Sequence, residues 1–208
     1  MLATTSTLAF KFKDGVIVTA DTAVSYGRLA MTKLNRIFVI NNTIITFNGA
    51  VGDFLFVKKT LEAELEQDKR YVDSKGIFKL LQIFMYSKRS EAKPKFCSIL
   101  VAGKDKHGNP FIGAITSKGV FWEDSVVASG FASHLIMPLL RDKNTEEMSL
   151  EEAKQFALEV NKVLVYKDCI ASNKIQMAIL NKTEKVEILN ETVPTSWSIA
   201  HKFNEIKL

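Results

Sequence analysis

Leu8, Phe10 and Phe12 alternate with Thr7, Ala9 and Lys11, the two-residue period of a half-buried strand. Lys13-Asp14-Gly15 marks a turn, and Val16 to Ala20 predicts the returning strand. A second pair follows: Arg36 to Ile40, a turn at Asn41-Asn42, then Ile44 to Phe47, ended by Asn48-Gly49-Ala50. From Gly52 to about Arg70 the period turns helical, with Phe54, Val57, Leu61 and Leu65 on one face. Asp73 or Ser74 caps a second helix carrying Ile77, Leu80, Leu81, Phe84 and Met85, and Ala92-Lys93-Pro94 closes it. Strands are predicted at Cys97 to Ala102, Phe111 to Thr116 and Val120 to Trp122. Ser129-Gly130 opens a third helix through Leu139-Leu140, with Pro138 inside it as a bend. Ser149-Leu150-Glu151-Glu152 is a capping box that launches a fourth. Ile175, Met177 and Ile179 alternate, Asn181-Lys182-Thr183 turns, and Val186 and Ile188 return. A short amphipathic helix from about Trp197 to Phe203 ends the chain.

Strands, a helix pair, strands, another helix pair and a hairpin predict an α+β domain. The periodicity does not choose between two layers and four. No Pro-, Gly- or Ser-rich linker and no repeat divides the 208 residues, so one domain spans 1–208. At 47% apolar and 25% charged residues, the chain has the balance of a folded protein rather than a disordered one.

The net charge of +5 raises the question of nucleic acid. The cations Lys58, Lys59, Lys69, Arg70, Lys88, Arg89, Lys93 and Lys95 are interleaved with acids and aliphatics on helical stretches, however, and form solvated faces rather than a binding stripe. No run approaches the ~18 apolar residues of a membrane span, and Met1-Leu2-Ala3-Thr4-Thr5 lacks a secretory pattern. The expected setting is therefore cytoplasm and nucleus, with neither nucleic acid nor membrane as partner. Cys97 and Cys169 lie in apolar runs without metal spacing and are expected to be reduced core thiols. His107, His134 and His201 are far apart, so no metal or cofactor is expected.

Several segments carry a resemblance. Thr5-Ser6-Thr7-Leu8-Ala9-Phe10-Lys11-Phe12, Val18-Thr19-Ala20-Asp21, Asn48-Gly49 before a long helix, Val127-Ala128-Ser129-Gly130 and Tyr166-Lys167-Asp168 resemble proteasome β subunits in order and spacing. Within that family, Ser25-Tyr26-Gly27-Arg28-Leu29-Ala30, Pro138-Leu139-Leu140-Arg141 and Ser196-Trp197-Ser198-Ile199-Ala200-His201 are most like the non-catalytic seventh type of the eukaryotic 20S core particle. The resemblance implies a four-layer αββα sandwich, the N-terminal-nucleophile hydrolase fold. It also implies residues 1–4 as a short N-terminal extension and residues 200–208 as a C-terminal tail.

By the same resemblance Thr5 holds the nucleophile's place, Asp21 the first carboxylate's, and Ser129 and Asp168 those of a later Ser and Asp. Gly49 matches the glycine whose backbone N–H would face a developing oxyanion. Two departures stand out: Arg36 occupies the place of the required lysine, allowing one deleted residue before it, and Ala171 replaces the final Ser. An arginine keeps its proton and cannot act as the base. Self-cleavage in the family uses a Gly before the Thr, whereas this chain has Thr4, so the Thr5 amine that would serve as base stays in a peptide bond. These residues have plainer roles too: Thr5 as a strand residue, Asp21 as a turn cap paired with Arg36, Ser129 and Asp168 as caps at helix ends. Lys33 could stand in for the missing base only through a slipped alignment, and three residues before Arg36 it is on the wrong face of a strand.

The resemblance thus implies a non-catalytic subunit that completes a β ring in ubiquitin-dependent protein degradation. Its partners would be other α and β subunits in a four-ring, 28-subunit particle. The tail, through Phe203, Ile206 and Leu208, would help to join half-particles. The alternatives are a threonine peptidase activated by loss of residues 1–4, and a stand-alone binding protein on the same fold.

Overall fold

The computed structural model describes residues 1–27, 29–67, 71–182 and 185–197. One sheet contains β1 (Leu2–Thr4), β4 (Ala23–Tyr26), β5 (Leu29–Lys33), β6 (Ile37–Ile40), β7 (Thr43–Ala50), β8 (Cys97–Lys104), β9 (Pro110–Ile115) and β10 (Phe121–Glu123). Its order is β10-β9-β8-β7-β1-β4-β5, with β6 also on β7. The other contains β2 (Thr7–Phe12), β3 (Gly15–Asp21), β11 (Val126–Ser129), β12 (Lys174–Leu180) and β13 (Glu187–Thr192), in the order β11-β2-β3-β12-β13. All pairings are antiparallel.

Strand alternation builds three cores and hence four layers. Leu8, Phe10 and Phe12 point to the helices α3 (Ala132–Leu135), α4 (Met137–Asp142) and α5 (Leu150–Lys167), where Phe10 meets Phe156 edge-on at 5.7 Å. Ile45 and Phe47 point the other way, under α1 (Val51–Gln67) and α2 (Ser74–Ser90), where Phe47 stacks on Phe54 at 3.9 Å. Between the sheets the side chains are smaller on average, with Ala9, Val18, Ala20, Ala102, Ala114 and Ala178 among them. Small facing residues let two sheets pack closely.

Local signals hold where they are strong. Asn41 and Asn42 adopt left-handed φ of 48° and 58°, the double positive-φ turn of a tight hairpin. The Asp73 carboxylate caps α2 by accepting from the Gly76 N–H at 2.9 Å, and Ser149 and Glu152 form the reciprocal box at α5. Many cations on the helices are paired on the surface, as in Lys58–Glu62, Lys88–Glu91 and Lys154–Glu151.

Other expectations need correction. Ser129 does not open a helix: it ends strand β11, and the expected third helix is two short ones, with Pro138 in the first turn of α4. There its missing N–H costs no hydrogen bond. Within residues 1–4, Leu2–Thr4 forms a strand between β7 and β4. Thr5 lies in the connector between β1 and β2, not in a strand. Cys169 is exposed, since the chain turns away at Asp168 once α5 has ended, while Cys97 is buried. Trp197 is not helical; the rest of the expected terminal helix, and the tail at 200–208, lie outside the described residues. No helix among the described residues is long and apolar enough to cross a membrane.

Candidate functional site

The site gathers where the two sheets meet the N-terminal connector. β3 delivers Asp21 at its last residue, 5% exposed. The loop before β6 delivers Arg36, which is fully buried. The Arg36 guanidinium donates through Nη1 to the Asp21 carboxylate and, at 3.2 Å, to the Asp21 carbonyl; Nη2 donates to the Phe47 carbonyl at 2.6 Å. The other Asp21 carboxylate oxygen accepts from the backbone N–H groups of Ala23 at 3.3 Å and Ser172 at 3.0 Å. Burial pushes the Asp21 carboxyl above its ordinary value; the Arg36 charge, then those two N–H groups, oppose the rise, and Asp168 adds a smaller upward push. Burial likewise lowers Arg36, opposed by Asp21, but a guanidinium that starts so high stays protonated. The pair is an ion pair locked by backbone contacts, not a proton relay.

Among the described residues Thr5 forms no hydrogen bond to this pair. Its nitrogen is bonded to Thr4, and its buried hydroxyl makes no hydrogen bond. Ser129 is turned elsewhere: its hydroxyl shares a 2.6 Å hydrogen bond with Thr7, its cross-strand neighbour. Asp168, the C-cap of α5, accepts from the Ile170 N–H at 3.2 Å and from the Ser6 hydroxyl at 3.5 Å. Ala171 follows in the same turn and offers no hydroxyl, and the neighbouring Ser172 hydroxyl accepts from the Lys174 N–H at 3.1 Å. Lys33 ends β5, exposed to solvent, whereas Arg36 lies in the loop before β6, so face alternation does not relate them.

Gly49 has φ +100°, and a Cβ there would lie 2.5 Å from the Phe96 carbonyl oxygen, so only glycine fits. It is paired with Cys97 on one side and with Thr4 on the other. β6 covers the first half of that edge of β7, and β1 covers the second half. β1 pairs at the same time with β4, Leu2 opposite Tyr26 and Ala3 opposite Ser25. The chain's own residues 2–4 therefore fill a strand-wide slot directly in front of Thr5. A cleft of about 930 Å³ between the β4–β5 hairpin and residues 168–173 includes Asp168 but neither Thr5 nor Arg36.

Two supporting residues escape the sequence reading. Ser6 ties the connector to both flanks, donating to Asp168 and accepting from the Ala132 N–H at 3.1 Å. Gln176, 3% exposed within an apolar strand, accepts from the Arg36 N–H at 2.6 Å and the Ile37 N–H at 3.3 Å and fixes the backbone that presents the guanidinium. A buried amide in an otherwise apolar alternation is the signal that could have found it. His107 and His134 lie on separate elements, and His201 is outside the described residues. Among the described residues no group of His, Cys, Asp and Glu could hold a metal.

Chemically, among the described residues there is a Thr5 hydroxyl without a hydrogen-bond partner, an Arg36 cation that keeps its proton, and a strand already seated on the β7 edge at Gly49.

A family description, "Proteasome subunit", matches residues 1–180. The chain is 32% identical to "Probable proteasome subunit beta type-7" of Encephalitozoon cuniculi, over 97% of this chain and 96% of that protein. It is 33% identical to "Proteasome subunit beta type-4" of Xenopus laevis over 97% and 86%, and 28% identical to "Proteasome subunit beta type-7" of Saccharomyces cerevisiae over 86% and 73%.

Proposed function

This chain belongs to the proteasome subunit family, as a β-type subunit of the 20S core that assembles with other proteasome subunits, and from that premise we propose that its work is structural rather than chemical. The observation that carries this is Arg36. It stands at the place of the catalytic lysine, fully buried, with its fork committed to Asp21 and two main-chain carbonyls. A guanidinium keeps its own proton and so cannot take one from a threonine hydroxyl. The strand Leu2–Thr4 supports the same reading, since any extended chain approaching Gly49 must first displace it.

On this account the subunit completes a seven-membered β ring within the four-ring particle, in the cytoplasm and nucleus, and buries large interfaces with its neighbours. Residues 200–208 carry Phe203, Ile206 and Leu208 as the apolar contacts that help to join half-particles; deletion of Asn204 to Leu208 slows that joining. The peptidase alternative requires loss of residues 1–4 and a base other than Arg36.

The test is a particle assembled with Thr5→Ala in this subunit. Every peptide-cleaving specificity should match the unsubstituted particle, with normal yield of assembled rings. Selective loss of one specificity in a fully assembled particle would overturn the proposal.

A further inference from the structure

Lys33 and Lys174 come from opposite sheets and meet in a cleft of about 370 Å³ at the end of the sandwich. β12 and β13 pair Lys174 with Thr192 and Gln176 with Asn190. These four residues share the face that looks between the sheets, the face on which Ala178 joins the inter-sheet core. Glu191 also borders the cleft, but opposite Ile175 it belongs to the helix-side face. Asn35 also lines the cleft, with its side-chain oxygen accepting from the buried Gln176 amide at 3.3 Å. This bond engages the Asn35 oxygen and not its NH₂ group.

Both lysines line this one cleft, and the Lys174 side chain, first by contact and then by its charge, lowers Lys33 from its ordinary value. No carboxylate among the described residues forms an ion pair with either lysine. Two like charges held together are unfavourable unless an anion joins them. A carboxylate brings one negative charge, whereas a phosphoryl group brings about −1.5 to −2 at neutral pH with three acceptor oxygens.

The geometry points to a phosphoryl-binding site here, with the Lys33 and Lys174 ammonium groups on the charged oxygens and Asn35, Asn190 and Thr192 as neutral donors. The site is independent of the proposed structural role: it lies outside the Thr5–Arg36 cluster and requires no catalysis. Free inorganic phosphate and a phosphorylated side chain offer the same chemistry.

Equilibrium dialysis of labelled inorganic phosphate against the full chain at low salt tests it, with Lys33→Met, Lys174→Met and, as control, Lys118→Met in the exposed β9–β10 turn. The expected result is one saturable phosphate per chain, at least tenfold weaker binding in each of the first two variants, and no change in the control. The absence of saturable binding, or equal binding by all variants, would overturn the site. Competition with a phosphoserine peptide then separates the sources. Displacement at lower concentration than phosphate supports a phosphorylated chain; displacement only at equal or higher concentration supports the free ion. Both substituted lysines are exposed, so the variants fold.

Discussion

Replacing Arg36 with methionine removes the cation from a site where Asp21 is 5% exposed. At roughly 3 Å and an effective dielectric near 20, the pair attraction is about 5–6 kcal/mol, part of which offsets the cost of desolvating both charges. Removing one partner strands the other, and such losses run about 3–5 kcal/mol. The Phe47 and Asp21 carbonyls also lose their donor. In a chain of this size that corresponds to roughly 6–20 °C in Tm. The double variant Asp21→Asn/Arg36→Met leaves no stranded charge and should recover most of the loss, so a double-mutant cycle should give a coupling of at least about 2 kcal/mol. Thermal or urea unfolding of the four full-length chains measures it. A coupling below about 0.5 kcal/mol would show that the ion pair is not holding the two sheets together, and the argument from a locked Arg36 would fail.

The Cys97 thiol is pushed up to about 12, first by burial and then by the nearby Asp53 carboxylate. The folded chain therefore keeps a proton that the unfolded chain releases near pH 9, and stability falls as pH rises from about 9 to about 12, by at most ~1.4 kcal/mol per pH unit. Subtracting the profile of Cys97→Ala isolates this slope, and identical slopes would refute it. Gly130 has φ +68°, and a Cβ there would lie 2.4 Å from the Thr5 carbonyl oxygen; Gly130→Ala should cost at least about 2 kcal/mol in urea unfolding. Gln176→Leu strands the Arg36 and Ile37 N–H groups, with an expected loss of about 2–4 kcal/mol in the same assay.

Legibility followed locality. Turn and cap residues located the Asn41–Asn42 hairpin, α2 and α5, because a few neighbours decide those structures. Strand β1 has three residues, too few to show a period, and exists only because β7 and β4 offer it two edges. In β5 all five residues are exposed, so no alternation marks it. β11 reads as a helix start because Ser129-Gly130 looks like a cap; its partner Thr7 lies 122 residues away. The Asp21–Arg36 pair was expected because the resemblance put both residues at one site, and the Arg36 guanidinium does bond the Asp21 carboxylate. The contribution of Gln176 was not, because its contact with Arg36 spans 140 residues of sequence.

The central claim is that Thr5 is not a nucleophile. The most direct measurement is intact-mass analysis of this subunit from assembled particles treated with an electrophile that captures a threonine hydroxyl together with its free amine. The account predicts an unshifted mass for this chain, with residues preceding Thr5 still attached, while catalytic neighbours in the same sample gain the adduct. A chain that begins at Thr5 and carries the adduct would contradict it.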